Sequence, residues 1–210
     1  MKIFASLFLI LSSFMVAQKG DEELVNIKEL IPDVKLDIRY STTDNFTSQK
    51  LYTTNEALFM LKAVNMLKTA ASNLRSLRTY DGKSYPKGIG IKVFDAYRPR
   101  AIQYLMFEIF PNPTYVADPA NGSIHNFGGA IDLTLYDIES GIDLQMPTEF
   151  DFFGPEAGHG YSNLPPEAIA NRALLKSTME SAGFSIYSAE WWHYQVPNGR
   201  ATQILDFQMK

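Results

Sequence analysis

The chain has 210 residues, 46% of them hydrophobic and 20% charged, enough for one domain with a sizeable core. Its formal charge is −4 and its Lys and Arg residues are scattered, which excludes the concentrated basic footprint that nucleic acids and anionic membranes require. Cysteine is absent, so the fold has no disulfide, no N-terminal Cys for a lipid, and only His, Asp and Glu with which to build a metal site.

In chain order, Lys2, the apolar run from Ile3 to Val16 and the small Ala17 have the three parts of a secretory signal peptide. The run is short for a membrane span. Residues 1–17 are therefore expected to be removed, leaving residues 18–210 as one exported domain, periplasmic or extracellular, with no stable membrane association after cleavage. A permanent N-terminal anchor helix is the competing reading. Partial alternation from Val34 to Tyr40 predicts a strand. Thr53 to Arg78 predicts the longest helix: Thr53 and Glu56 fit a capping box, and Ala57, Leu61, Val64, Leu67, Ala71 and Leu74 recur at helical spacing as a core-facing stripe.

Ile89, Ile91 and Val93 alternate with Gly90 and Lys92, predicting a strand whose apolar face Asp95 continues. A short helix over Arg100 to Phe110 follows Pro99, and a loop rich in Pro, Asn and Asp follows the helix. Ala130 to Leu135 predicts a strand with Ile131, Leu133 and Leu135 on one face and Ala130, Asp132 and Thr134 on the other. Met146 to Leu164 reads as a loop and a candidate lid. Pro165 and Pro166 open a helix to Ala182, with Gly183 past its end. Ser185 to Val196 reads as one final aromatic-rich strand. Repeats and a regular βαβ rhythm are both missing, so the predicted fold is α+β: a single domain with a largely antiparallel central sheet flanked by helices.

Only three histidines are present. His125 stands in a loop before the strand that carries Asp132, and a turn at Gly128 and Gly129 would bring the two together. His193 lies in the final strand. Two imidazoles and one carboxylate meet the requirement of a catalytic zinc site, three protein ligands with one position open. Glu190, three residues before His193, suits a general base, but residues three apart share a helix face and not the face of a regular strand. Glu190 and His193 converge only if the strand is bulged or bent, or if Glu190 lies just before it. On spacing alone, surface or hydrogen-bonded histidines and an Asp132 bonded to a backbone amide remain open. Arg98, in Asp95-Ala96-Tyr97-Arg98-Pro99, supplies a cation for the oxygen of a tetrahedral transition state, or simply pairs with Asp95. His159 reads as a solvent-exposed loop residue, with support of the site or contact with substrate as the alternative.

Ser-x-His-x-x-Gly-x-Ala-x-Asp at Ser123 to Asp132, Glu-x-Trp-His at Glu190 to His193, and the strand ending in Asp95-x-Tyr97-Arg98-Pro99 together resemble the D-alanyl-D-alanine dipeptidases of the VanX type. Those enzymes belong to the zinc D,D-peptidases that share a fold with the Hedgehog signalling domain. The resemblance extends to Thr43-Asp44-Asn45-Phe46 and Glu149-Phe150-Asp151-Phe152, essentially the whole mature chain. It implies one Zn2+ per chain on His125, Asp132 and His193, Glu190 as catalytic base and Arg98 as transition-state arginine. It further implies Ser123 as a substrate contact and Asp151 as acceptor of the substrate's ammonium. The implied partner is a small dipeptide. A D,D-carboxypeptidase of longer wall peptides and a non-catalytic binding module are the alternatives. Oligomeric state is not legible.

Overall fold

Two apolar rows, Ile89/Ile91/Val93 and Ile131/Leu133/Leu135, are buried to 1% exposure or less and form the centre of the molecule. The computed structural model describes residues 20–200 and 203–208; the N-terminal apolar run and its signal-peptide reading lie outside them. In chain order the elements are β1 (Leu24–Asn26), α1 (Ile27–Leu30), β2 (Lys35–Leu36), β3 (Leu58–Met60), α2 (Leu61–Ser76), β4 (Thr79–Tyr80) and β5 (Lys83–Ser84). Then follow β6 (Ile89–Asp95), α3 (Arg100–Ile109), β7 (Ala130–Asp137), α4 (Pro166–Ser181), β8 (Ser185–Tyr187) and β9 (Glu190–Gln195). Short 3-10 turns stand at Arg39–Ser41, Ile124–Phe127 and Pro155–Ala157.

The main sheet runs β2-β6-β7-β9-β8. Its β2–β6 pair is parallel and its other pairs are antiparallel. Helices α2 and α4 touch each other and pack on this sheet, completing the expected α+β domain. Buried Ala63, Val64, Leu67, Ala70, Ala71 and Leu74 form the inner stripe of α2. Among the described residues no helix is long and apolar enough to cross a membrane.

Three predicted elements change. The long helix starts at Leu61 instead of Thr53, because Leu58–Met60 pairs with Leu24–Asn26 as a two-stranded ribbon. Thr54 makes a local bond, accepting the Glu56 N–H at 3.0 Å. The strand expected over Val34 to Tyr40 keeps only Lys35–Leu36, then turns into the 3-10 segment at Arg39–Ser41. The single final strand is the hairpin β8–β9.

Two irregularities in strand pairing set the site. Along β6, Val93 pairs with Leu133, but the register then shifts and Asp95 pairs with Asp132. Residues directly opposed in an antiparallel pair share a face, so this bulge turns Asp95 away from its apolar row and toward Asp132, contrary to the simple alternation expected. In the hairpin, Ile186 pairs with Tyr194 while Tyr187 already pairs with Glu190. The residues between Glu190 and Tyr194 are thereby out of register with β8, one of the two ways expected for Glu190 and His193 to face one point.

Candidate active site

The segment from Ser123 to Gly129 is built to present His125. Ser123 caps the 3-10 turn by accepting the His125 N–H at 3.3 Å, and the Asn126 side chain accepts the Ser123 N–H at 2.7 Å. Asn126 also donates to the Arg98 carbonyl at 2.8 Å, while the Arg98 N–H donates to the His125 carbonyl at 3.1 Å. Gly128 ends the turn at φ 68°, a left-handed conformation that favours glycine. A Cβ there would also lie 2.3 Å from Leu24. The chain then doubles back into β7, and Asp132 pairs directly with His193 across the sheet.

Nδ1 of His125 lies 2.6 Å from the Ala96 carbonyl. A carbonyl can only accept, so Nδ1 carries the proton and Nε2 has its lone pair free. That Nε2 is 3.2 Å from His193 Nδ1 and 3.4 Å from Asp132 Oδ2, and His193 Nδ1 is 3.1 Å from Asp132 Oδ1. The other nitrogen of His193 lies 3.4 Å from Gln195 Oε1. One donor atom from each of His125, Asp132 and His193 thus falls within 4.8 Å of the others, all buried. Two imidazole nitrogens and a carboxylate, with the outer nitrogens engaged by acceptors, match what a divalent metal such as zinc needs in donor set and in ligand support. Burial pushes the Asp132 carboxyl upward in pKa, but the two imidazoles outweigh it and hold the group well below the usual carboxylate range.

Glu190 Oε2 stands 3.9 Å from His193 Nδ1. Burial, and then the negative charges of Asp132 and Asp151, push its pKa well above the usual carboxylate range, with Arg98 opposing. Arg98 is itself buried. Its Nε and Nη2 donate to Asp95 Oδ2 at 3.0 and 2.8 Å, and its Nη1 donates to Gln103 at 2.9 Å. Nη2 also lies 3.9 Å from Asp132 Oδ2. The pairing with Asp95 leaves N–H donors on both terminal nitrogens. Tyr52 and the Ala96 N–H donate to the other Asp95 oxygen, at 2.8 and 2.9 Å.

These groups open onto a cavity of about 320 Å³ lined by Ser123, His125, Asp132, Asp151, Glu190 and His193 as well as Arg98. Asp151 sits at φ 60°, a region that Asp tolerates better than most residues, and accepts a hydrogen bond from the Tyr40 hydroxyl at 2.9 Å. Burial, reinforced by the charge of Asp132, raises its pKa to about 8. Phe46, Phe153 and Trp192 supply apolar wall.

Tyr40 and Arg200 also line the cavity and were not singled out from the sequence. Tyr40 ends a partly apolar stretch and reads as core; Arg200 lies beyond the last motif with nothing local to mark it. His159 departs from expectation. It is only partly exposed, both ring nitrogens are buried without a hydrogen-bond partner among the described residues, and its ring meets Tyr194 edge-on at 6.2 Å. Arg172 holds its loop by donating to the Gly158 and Tyr161 carbonyls at 2.8 and 2.7 Å.

An α+β domain with a His-Asp-His cluster, a neighbouring carboxylate and a buried arginine defines a metallopeptidase-type site. The family model described as D-ala-D-ala dipeptidase, within the M15 peptidases, matches residues 20–210. The chain is 34% identical over 184 residues to the D-alanyl-D-alanine dipeptidase of Escherichia coli K12, covering 87% of this chain and 89% of that one. It is 31% identical to the enzyme of the same name from Enterococcus faecium (80% of this chain, 88% of that one). Against the enzyme of that name from Enterococcus faecalis V583 it is 27% identical (81% and 89%). The chain belongs to this peptidase family.

Proposed function

We propose that this protein hydrolyses D-Ala-D-Ala, or a closely similar small dipeptide, to free amino acids with one zinc ion per chain. The observation that carries the reading is the convergence of the His125, Asp132 and His193 donor atoms within 4.8 Å, beside Glu190 and Arg98 in one small cavity. His125, Asp132 and His193 would hold the zinc ion, which when bound would supply Lewis acidity for the scissile carbonyl and for an attacking water, whose pKa such sites bring to about 7.

The chain's own residues do the rest. Glu190, 3.9 Å from His193 Nδ1, takes the proton of the attacking water and returns it to the leaving amine. Arg98, fixed by Asp95 and Gln103, places its remaining N–H groups where negative charge develops on the carbonyl oxygen. Ser123 contacts the substrate. Asp151 receives the substrate's free ammonium, and a bound cation would draw its proton off despite its raised pKa. A carboxylate lining the cavity favours a dipeptide over a longer wall peptide, whose extra residues would replace the ammonium with an amide. The relatives named above as D-alanyl-D-alanine dipeptidases support the substrate assignment. Export to the periplasm or cell exterior is proposed on the N-terminal sequence.

The test is D-alanine release from D-Ala-D-Ala by zinc-loaded protein, with a chelator control and N-acetyl-D-Ala-D-Ala alongside. Chelator-sensitive cleavage of the free dipeptide alone is expected. Cleavage of the acetylated substrate at a similar rate would transfer the protein to the carboxypeptidase reading, and turnover that survives thorough chelation would remove the metal from the chemistry.

A further inference from the structure

A dipeptide is a zwitterion with its charged ends about 7 Å apart when extended. The reading above gives the ammonium end to Asp151 and leaves the carboxylate end without a partner. Two cations line the cavity, Arg98 and Arg200. Arg98 is committed to Asp95, which neutralises it at 2.8 Å. Arg200 differs. It is exposed, and no carboxylate among the described residues lies within ion-pair distance of it. Its Nη1 donates to the Asn121 carbonyl at 2.8 Å, and its guanidinium carbon stands 5.5 Å from the Phe127 ring centre.

Those two contacts fasten the side chain to the segment from Asn121 to Phe127, which carries Ser123 and His125. The Asp151 carboxyl hangs from a different part of the chain, on Tyr40. Two glycines sit where the segment carrying Arg200 meets the histidine turn. A Cβ on Gly129 would lie 2.8 Å from the Gly199 carbonyl oxygen, and one on Gly199 would lie 3.1 Å from Ile124. Bare backbone at Gly129, with a tight fit at Gly199, lets the chain after β9 close onto the histidine turn and bring Arg200 to the cavity.

We propose that Arg200 binds the C-terminal carboxylate of the dipeptide and makes the enzyme selective for a free carboxyl terminus. The proposal rests on the dipeptidase reading and adds the second end of the substrate to it. Guanidinium suits the task because its planar fork matches a carboxylate with paired hydrogen bonds, and the Asn121 contact orients that fork before substrate arrives.

The experiment compares kcat/KM for D-Ala-D-Ala and for D-Ala-D-alaninamide, which keeps the ammonium and scissile bond but has a neutral end, in zinc-loaded wild type, Arg200→Gln and Arg200→Lys. Wild type is expected to prefer the free acid by about 10- to 100-fold, the range of one charge-assisted contact. In Arg200→Gln that preference should collapse toward unity, through KM for the free acid, and Arg200→Lys should restore part of it. A parallel loss on both substrates, or an unchanged preference in Arg200→Gln, would overturn the assignment while leaving the dipeptidase standing. Failure of the wild type to cleave either substrate would overturn the dipeptidase reading and this proposal with it.

Discussion

At the scale of single residues, the site's chemistry depends on which atoms are engaged before substrate arrives. The Ala96 carbonyl fixes the proton of His125 on Nδ1, so the nitrogen facing Asp132 and His193 is a ready ligand. Glu190 sits at the edge of that cluster and does not belong to it. Glu190→Gln is therefore expected to keep zinc binding while kcat falls about 10²- to 10⁴-fold, the range of general acid–base catalysis. Zinc content and kcat measured on the same sample check this, and wild-type turnover with zinc bound would remove Glu190 from the mechanism. The candidate ligands, Glu190 and Arg98 were legible in the sequence because each stands inside a short motif. Tyr40 and Arg200 were not, since their relation to the cavity depends on contacts with residues far along the chain.

Elements matter here through their defects. The bulge at Val93/Asp95 carries Asp95 to Arg98 and Asp132, and the shifted register of β8–β9 lets Glu190 and His193 face one point. The sequence offered the second as one of two ways to bring Glu190 and His193 together; the first contradicted simple alternation. The turn at Ile124–Phe127 is joined to the end of β6 through Asn126, fully buried between Ser123 and Arg98. The C-terminal stretch adds to this, with the Leu205 N–H donating to the Asn126 carbonyl at 2.8 Å. Asn126→Ala leaves a buried N–H and a buried carbonyl without their side-chain partner, at a cost of about 1–3 kcal/mol each. Urea unfolding should show that loss; a change under about 0.5 kcal/mol, typical of a surface substitution, would mean that the link is replaceable. The early start predicted for α2 failed for a related reason. Helical spacing around Thr53 to Met60 is a local signal, and pairing with Leu24–Asn26 overrides it.

For the whole molecule, stability should be tied to metal and to pH. Zinc that binds only the folded site at 100 times its Kd adds about 2.7 kcal/mol, a rise of about 5–10 °C in Tm for a domain of this size. His193→Ala should abolish the rise, and an equal rise in that variant would place the metal elsewhere. Burial of His159, with the positive charges of Arg172 and Lys176 adding, lowers its pKa to about 4 from 6.5. Between those values the unfolded chain binds a proton that the folded imidazole refuses, so stability falls as pH drops from about 6.5 to about 4 and this loss is complete below that. His159→Gln should lose less stability than wild type between pH 7 and pH 4.5 in denaturant unfolding, and identical losses would defeat the assignment. By itself the sequence determined the α+β class, the central strands, α3, α4 and the family, because these rest on periodicity and on motifs confined to a few consecutive residues. Only the tertiary structure decided the bulges, the split of the last strand, the enclosure of His159 and the approach of Tyr40 and Arg200 to the cavity. Each of these is set by contacts between segments distant in the chain, where burial and backbone pairing outweigh local preference.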